Sequence, residues 1–297
     1  MATLRELKTR IGSVKSSEKI TGAMKMISSA KVHKNEYALK QLLPFKNQIR
    51  SIMGHILETG ENFSSPLIET REEVSTVGLV VFGSDDGLCG AYNINIFKHL
   101  LGEISSIRKN YGEDVRIKIY PVGKKMLRAV CKIAGGTIDV VEVSGVDSKM
   151  DGDKVNYFTE ELHKAFISGS IDLVKVVYMQ FKSISKQHLE IEQLFPVNAA
   201  ALSEEGVEMA NDNKLYIFEP NANKIFNEVL PMFVLSTMQE ITIENRASEQ
   251  AARVMAMQSA NDNAKKLQEA LQLEFNKLRQ EGITTELLDI LGGQGER

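Results

Sequence analysis

The sequence predicts an α/β protein in which a central domain with a mostly parallel five-stranded sheet is flanked by long N- and C-terminal helices. Residues 74–197 alternate between β-branched runs and helical periodicity, which is typical of an α/β domain. The opening residues keep a helical period, and the span from Met232 to Glu281 contains neither Gly nor Pro. Aromatic residues make up only 6% of the 297 residues, with no Trp, which suits long helices better than an all-β sandwich.

The N-terminal segment, residues 1–57, is predicted to be a helix. Its apolar residues recur at three-and-four spacing from Leu4 to Val14, and the spacing resumes at Ile20 after a polar interval. Pro44 predicts a kink or break, after which a second helical piece follows.

The central domain, residues 74–197, is predicted to contain five strands and three helices in the order β-α-β-α-β-α-β-β. The strands are predicted at Val74–Gly83, Val115–Val122, Ile138–Val143, Leu173–Phe181 and Leu189–Leu194, and the helices at Ile94–Ile107, Lys124–Ala134 and Val155–Phe166. The short loop from Ser183 to Gln187 indicates a hairpin between the last two strands. This order predicts a doubly wound, Rossmann-like sheet with one antiparallel strand.

Residues 225–297 are predicted to form a C-terminal helix, reached through a polar connection at residues 198–224. The 50 residues from Met232 to Glu281 alone would form a helix ~75 Å long, more than the ~30 Å of a small domain, so we expect it to project. Its narrow apolar seam is typical of a coiled coil. The simplest partner is the N-terminal helix, in an antiparallel pair.

Charge is distributed unevenly along the chain. Residues 1–57 carry eleven basic and three acidic side chains, a net +8, so the remaining 240 residues carry −11 of the total of −3. Residues 225–297 carry seven basic and eleven acidic side chains, so pairing of the two termini accounts for part of the asymmetry. A nucleic-acid arm and a membrane-surface helix stay open as alternatives.

The most enzyme-like segment is GSDDGLCGAYN, Gly83 to Asn93, between a predicted strand and helix. A dinucleotide fold places its phosphate loop there. However, the glycine spacing matches neither a G-x-G-x-x-G motif nor a P-loop. Asp85 and Asp86 would also repel a pyrophosphate. The sequence therefore favours a tight structural turn, with Cys89 as a small residue that is buried or half-buried.

No catalytic residue, cofactor site or metal site is predicted elsewhere. The five histidines lack metal-ligand spacing, and Asp147 to Asp153 lacks the register and closing Glu of a calcium loop. The two cysteines form no disulfide framework. No apolar run approaches the ~18 residues of a membrane span, and charges near Met1 argue against a signal peptide.

Several segments resemble the gamma subunit family of the F-type ATP synthases, over nearly the whole chain. The resembling segments are LRELKTRIGSVKSSEKITGAMKMISSAK at Leu4–Lys31, SDDGLCGAYN at Ser84–Asn93, YIFEP at Tyr216–Pro220, ENRASEQAARVMAMQSANDNA at Glu244–Ala264 and ITTELLDILGG at Ile283–Gly293. Two departures stand out. Asp86 occupies a position that more usually holds Arg in the family, and the chain ends in GGQGER instead of small apolar residues.

The resemblance implies a noncatalytic rotor without a cofactor. In this family the paired terminal helices turn inside a ring of three alpha and three beta subunits, while the α/β domain meets the epsilon subunit and the c ring. Ion flow turns the c ring and the helices, and each beta subunit meets a different face of the asymmetric axle in turn. The resemblance also implies a peripheral protein on the cytoplasmic face of a bacterial inner membrane, with no insertion into the bilayer and no nucleic-acid partner.

The residues implied to contact the alpha/beta ring follow from the matching motifs. Met24 and Lys25 resemble the positions that face the beta-subunit lever loops. The opposing polar face is implied at Glu244, Arg246, Glu249, Gln250 and Arg253. Arg279 and Gln280 resemble a pair that hydrogen-bonds to a beta-subunit catch loop, and the apolar tip is implied at Leu287, Leu288, Ile290 and Leu291.

Overall fold

The fold was analysed in a computed structural model that describes residues 3–57, 63–198 and 218–294. Its elements, in chain order, are α1 Leu4–Leu57, β1 Thr76–Phe82, α2 Tyr92–Tyr111, β2 Arg116–Val122, α3 Lys124–Val130, β3 Ile138–Val140, α4 Gly152–Ile167, β4 Leu173–Ser183, β5 Lys186–Phe195 and α5 Ala222–Gln294. Helix α1 continues through Pro44, so there is no break at that residue. Most of the predicted connection, residues 198–224, lies outside the described residues.

The five strands form one sheet in the order β3-β2-β1-β4-β5. The pairs β2–β3, β1–β2 and β1–β4 are parallel, and β4–β5 is antiparallel. The predicted fold class, with its single antiparallel strand, is therefore confirmed. The hairpin between β4 and β5 is tighter than predicted, because Ser183 already pairs with Lys186.

Two predicted elements are too long. The helix that begins at Lys124 ends at Val130 rather than Ala134, because the next residues form tighter i−3 bonds and Gly135 adopts a φ of 138° that turns the chain toward β3. The strand that begins at Ile138 ends at Val140 rather than Val143. A turn then closes with a bond from the Val146 amide to the Val143 carbonyl, and Gly145 has a φ of 78°.

Both faces of the sheet are covered, as the near-continuous apolar strands require. Leu79 and Val81 of β1 point into a core formed with α2 and α3. Val80 and Phe82 point to the opposite face, where α4, the end of α1 and the first half of α5 supply the partners. The alternation of β1 side chains thus divides the domain into two layers of helices around one sheet.

The chain divides into two compact units, Met1–Ser29 with Arg253–Arg297, and Ala30–Ala252. In the first unit, the Asn261 side chain donates a 2.8 Å hydrogen bond to the Glu18 carbonyl oxygen, and Leu7 and Leu271 are buried. In the second unit, Lys46 of α1 forms an ion pair with Glu240 of α5. Each unit therefore contains its own contact between the two terminal helices.

Candidate functional site

The turn between β1 and α2 is closed by its own side chains. The Asn93 carboxamide oxygen accepts a 3.0 Å hydrogen bond from the Ser84 amide, and the Asn93 Nδ2 group donates to Ser84 Oγ at 2.7 Å and to Cys89 Sγ at 3.3 Å. Ser84 and Cys89 are buried. These bonds make the segment a structural turn, and the predicted burial of Cys89 is confirmed.

Gly83 allows β1 to approach α3 closely. A Cβ atom at Gly83 would lie 2.6 Å from Cβ of Met126, a separation that side chains do not tolerate. Gly123 faces it with a φ of 104°, and a Cβ there would lie 3.1 Å from the Gly83 backbone. The first glycine of this segment therefore serves packing between two backbones.

Asp85 connects the turn to the acidic loop before α4. Its Oδ2 atom accepts a 2.8 Å hydrogen bond from Ser148 Oγ, and its Oδ1 atom accepts a 3.0 Å bond from the Lys124 amide. Asp86 pairs with Lys149 at 2.8 Å and raises the pKa of that lysine, but both side chains are largely exposed. The Asp86–Lys149 pair therefore adds little to stability, whereas Asp85 bridges two segments.

Asn245 of α5 lies against the carboxyl ends of the parallel strands. Tyr92 Oη donates a 2.6 Å hydrogen bond to Asn245 Oδ1, and the Met179 amide of β4 donates to the same oxygen at 3.3 Å. Tyr92 and Asn245 are both buried. Ligands of open α/β sheets bind at this edge, and here α5 contacts it through Asn245.

Arg246 joins α5 to the acidic loop. Its Nε group donates a 2.9 Å hydrogen bond to the Ser148 carbonyl oxygen, and its guanidinium also donates to the Met150 carbonyl oxygen. Burial lowers the pKa of Arg246, while the nearby Asp147 carboxylate acts in the opposite direction. We call Tyr92, Asn245, Arg246 and Ser148 together the helix anchor.

The residues implied by the family motifs fall into three structural groups. Glu244, Glu249 and Arg253 are 7%, 4% and 7% exposed, and Arg246 bonds to the loop of its own chain. By contrast, Arg279 and Gln280 are exposed, and the tip residues Leu287, Leu288, Ile290 and Leu291 are 55% to 66% exposed. Met24, Lys25 and Gln250 are partly buried. Contact of all these residues with partner subunits stays a prediction.

Sequence reasoning missed three members of the helix anchor. Tyr92 and Asn245 both lie inside the motifs that carry the family resemblance, but side-chain hydrogen bonds between segments 153 residues apart have no signal in one sequence. Ser148 lies in the acidic segment Asp147 to Asp153, which lacks the features of a calcium loop. Its hydroxyl and carbonyl serve two different partners, Asp85 and Arg246.

Neither a metal-binding cluster nor a membrane-spanning helix is found among the described residues. Within residues 3–57, 63–198 and 218–294, no group of three His, Cys, Asp or Glu side chains is arranged to hold a metal ion. Among the helices that the structure describes, none combines the length and apolarity needed to cross a membrane.

The fold is a doubly wound sheet, and the long C-terminal helix is anchored at the carboxyl edge of that sheet. This chain is therefore an α/β protein that carries terminal helices. A family model described as ATP synthase matches residues 3–295. The ATP synthase gamma chain of Bacteroides thetaiotaomicron is 38% identical over 99% of both chains, and that of Stenotrophomonas maltophilia is 34% identical over 99% of both. The chain therefore belongs to the ATP synthase gamma chain family, and the predicted family is confirmed.

Solved structures share the fold. A chain of the Euglena gracilis mitochondrial ATP synthase, from a structure titled OSCP/F1/c-ring, has a TM-score of 0.64 at 18% identity, with 98% of this chain and 93% of that chain covered. A chain from the Tetrahymena thermophila mitochondrial ATP synthase, titled central stalk/cring, has a TM-score of 0.55 at 20% identity, with 81% and 99% covered.

Proposed function

We propose that this chain is the central-stalk rotor subunit of an F-type ATP synthase. It is noncatalytic and couples ion flow through a c ring to ATP synthesis or hydrolysis at the beta subunits. Membership of the gamma chain family supports this function, as do the structural neighbours, whose titles name F1 with a c-ring and a central stalk. Its partners are three alpha and three beta subunits, the epsilon subunit and the c ring.

The helix anchor is the observation that best supports a mechanical role. A rotor must transmit torque between its α/β domain and its helices, so α5 has to be fixed against sliding and against rotation about its axis. Hydrogen bonds to Asn245 from β4 and α2 oppose sliding, and the bonds from Arg246 to the loop at Ser148 and Met150 oppose rotation. The side chains of Asn245 and Arg246 extend from neighbouring positions of α5, and they bond to different elements of the domain.

The exposed end of α5 supplies the proposed contact with the alpha/beta ring. Arg279 and Gln280 are exposed and can hydrogen-bond to a partner, and the four apolar tip residues are more than half exposed. Exposed charged pairs contribute under ~1 kcal/mol, so contacts of this kind hold a turning helix without stalling it. Met24 and Lys25 are proposed to face the beta subunits in the same way.

For the polar face of α5 we propose a structural role within the rotor. Its members are Glu244, Arg246, Glu249 and Arg253. The burial of Glu244, Glu249 and Arg253 and the bonds of Arg246 within the chain support a role in setting the stiffness of the rotor. Gln250 is partly buried and is the member of this polar face that we propose for contact with a partner. We also propose that the protein is peripheral, on the cytoplasmic face of a bacterial plasma membrane.

Reconstitution with alpha and beta subunits tests the function. We expect ATP hydrolysis by the complex to depend on this chain, and a probe attached to the chain to rotate with turnover. A chain truncated after Gln280 should assemble less well or deliver less torque, and the matched control is the exposed Glu274→Gln variant. Hydrolysis that is indifferent to the chain would contradict the proposal, as would tight dinucleotide binding by the purified chain or salt-sensitive binding to DNA or anionic lipid.

A further inference from the structure

A cluster of acidic side chains lies where α1, α5 and the β4–β5 hairpin meet. Glu240 and Glu244 stand one turn apart on α5, and Glu240 forms an ion pair with Lys46 of α1. Glu192 of β5 accepts a 3.3 Å hydrogen bond from the Tyr178 hydroxyl of β4. Lys46, Tyr178 and Glu244 are 5%, 4% and 7% exposed, and Glu192 and Glu240 are partly buried, so the cluster has limited access to solvent within the unit Ala30–Ala252.

The positively charged side chains that face these carboxyl groups offset their negative charge only in part. Lys46 is committed to Glu240, and its ammonium lies 5.6 Å from the centre of the Phe233 ring. Arg50 acts on Glu192 and also lies over the Phe233 ring, at 5.8 Å. Lys182 of β4 acts on Glu244 but is exposed to solvent. On the acidic side, Glu190 of β5 adds a further exposed carboxylate near Tyr178.

Burial and like charge both favour the protonated form of Glu244. Burial has the larger effect and the neighbouring Glu240 adds to it, and together they raise the pKa of Glu244 to about 7. Burial also raises the pKa of Glu192, against the opposing effect of Lys46. A carboxyl group in such surroundings changes its charge within the physiological pH range.

We propose that Glu244, placed between Glu240 on its own helix and Glu192 of β5, binds and releases a proton near neutral pH, and that release of the proton loosens the packing of β5 against α5. This inference is independent of the proposed rotor function. It requires only the contact between the hairpin and the two helices within one unit.

Loosening follows from the position of the charges. When Glu244 ionises, its carboxylate lies beside Glu240 and near Glu192, in surroundings with little water to screen the repulsion. β5 is an edge strand, and within the described residues it pairs with β4 alone. An edge strand held on one side opens at lower cost than a central strand, so β5 responds first.

Hydrogen exchange of the full chain tests the proposal. Protection of the amides in Lys186–Phe195 is measured between pH 6 and 8 and corrected for the chemical exchange rate. The pKa of Glu244 is about 7 in the folded state and near 4.5 when the strand opens. We therefore expect protection to fall by about tenfold over this range. In Glu244→Gln, where a neutral amide replaces the protonated acid, we expect corrected protection that does not change with pH.

The matched control is Glu228→Gln, an exposed position on the same helix, which should keep the wild-type pH dependence. Protection in the wild-type chain that is constant from pH 6 to 8 would overturn the proposal, and so would a full wild-type response in Glu244→Gln. Should Glu244→Gln fail to fold, Glu192→Gln decides instead: without that neighbouring carboxylate the pKa of Glu244 should fall, so the loss of protection should begin at lower pH, and an unchanged pH profile would overturn the proposal.

Discussion

The phenol of Tyr92, at the start of α2, donates a 2.6 Å hydrogen bond to the side-chain oxygen of Asn245, at the middle of α5. The two residues are 153 positions apart, and both are buried. This bond fixes the C-terminal helix to the carboxyl edge of the sheet. The turn that resembles a phosphate loop in position thus leads directly into a residue that holds α5.

Removing the Tyr92 hydroxyl should weaken the chain. Tyr92→Phe leaves Asn245 Oδ1 with the longer bond from Met179, so we expect the free energy of unfolding to fall by about 1–2 kcal/mol, measured by urea denaturation. Tyr157→Phe, at a residue that is 54% exposed, is the control and should change stability little. Equal effects of the two substitutions would argue against the anchor.

Replacing Arg246 tests the second half of the anchor. Arg246→Met removes charge-assisted bonds to two carbonyl oxygens, so we expect a loss of about 2–3 kcal/mol in unfolding free energy. In a reconstituted ATP synthase we also expect less ion transport for each ATP hydrolysed. The exposed Arg128→Met variant serves as the control. Full coupling in a stable Arg246→Met complex would contradict the proposed torque path.

Gly83 and Gly87 provide a matched pair of substitutions in one turn. Gly83→Ala places a methyl group 2.6 Å from Met126 Cβ and should destabilise the chain by about 1–3 kcal/mol through overpacking. Gly87→Ala meets no atom within 4 Å and should be nearly neutral. Thermal unfolding of both variants checks the difference, and a neutral Gly83→Ala would show that α3 can move away from β1.

The Asp172 carboxylate should account for part of the stability that the domain loses at low pH. Burial by itself raises its pKa, but hydrogen bonds from Arg71, Thr76 and Ser75 outweigh burial, and the pKa of Asp172 lies below its usual range. A carboxyl group with a lowered folded-state pKa contributes stability at neutral pH, and this contribution is lost as pH falls through that pKa.

We therefore expect Asp172→Asn to be less stable than the wild-type chain at pH 7, with the difference shrinking below pH 4. Urea denaturation at several pH values measures this, with the exposed Asp139→Asn as the control. A difference that stays constant down to pH 2.5 would show that the carboxylate charge has no part in the effect.

The tip of α5 should affect assembly without affecting folding. Leu287 and Leu288 are 55% and 63% exposed, so the double Ala variant should unfold within about 0.5 kcal/mol of the wild-type chain. Binding to the alpha/beta ring should nevertheless weaken, as measured by the fraction of complexes that retain the chain after gel filtration. The same replacement at Leu273 supplies an exposed control outside the tip. Unchanged retention would exclude Leu287 and Leu288 from the contact.

The sequence by itself determined the fold class, because periodicity reports which side chains must be buried. The run at Val77–Phe82 requires a strand covered on both faces, and the Gly- and Pro-free span after Met232 requires a long helix. The predicted ends of α3 and β3 were wrong. These elements end at Val130 and Val140, because turns that contain glycine follow them despite the continuing apolar pattern.

Only the tertiary structure decided which polar side chains meet. Asn245 and Arg246 have no periodic signal that separates them from other polar residues of α5, yet one reaches the sheet and the other reaches the loop at Ser148. Likewise, Glu192, Glu240 and Glu244 come together, with Glu244 buried, only when the hairpin packs against both helices. A hydrogen bond or a shifted pKa depends on distances across the fold, and one sequence records only distances along the chain.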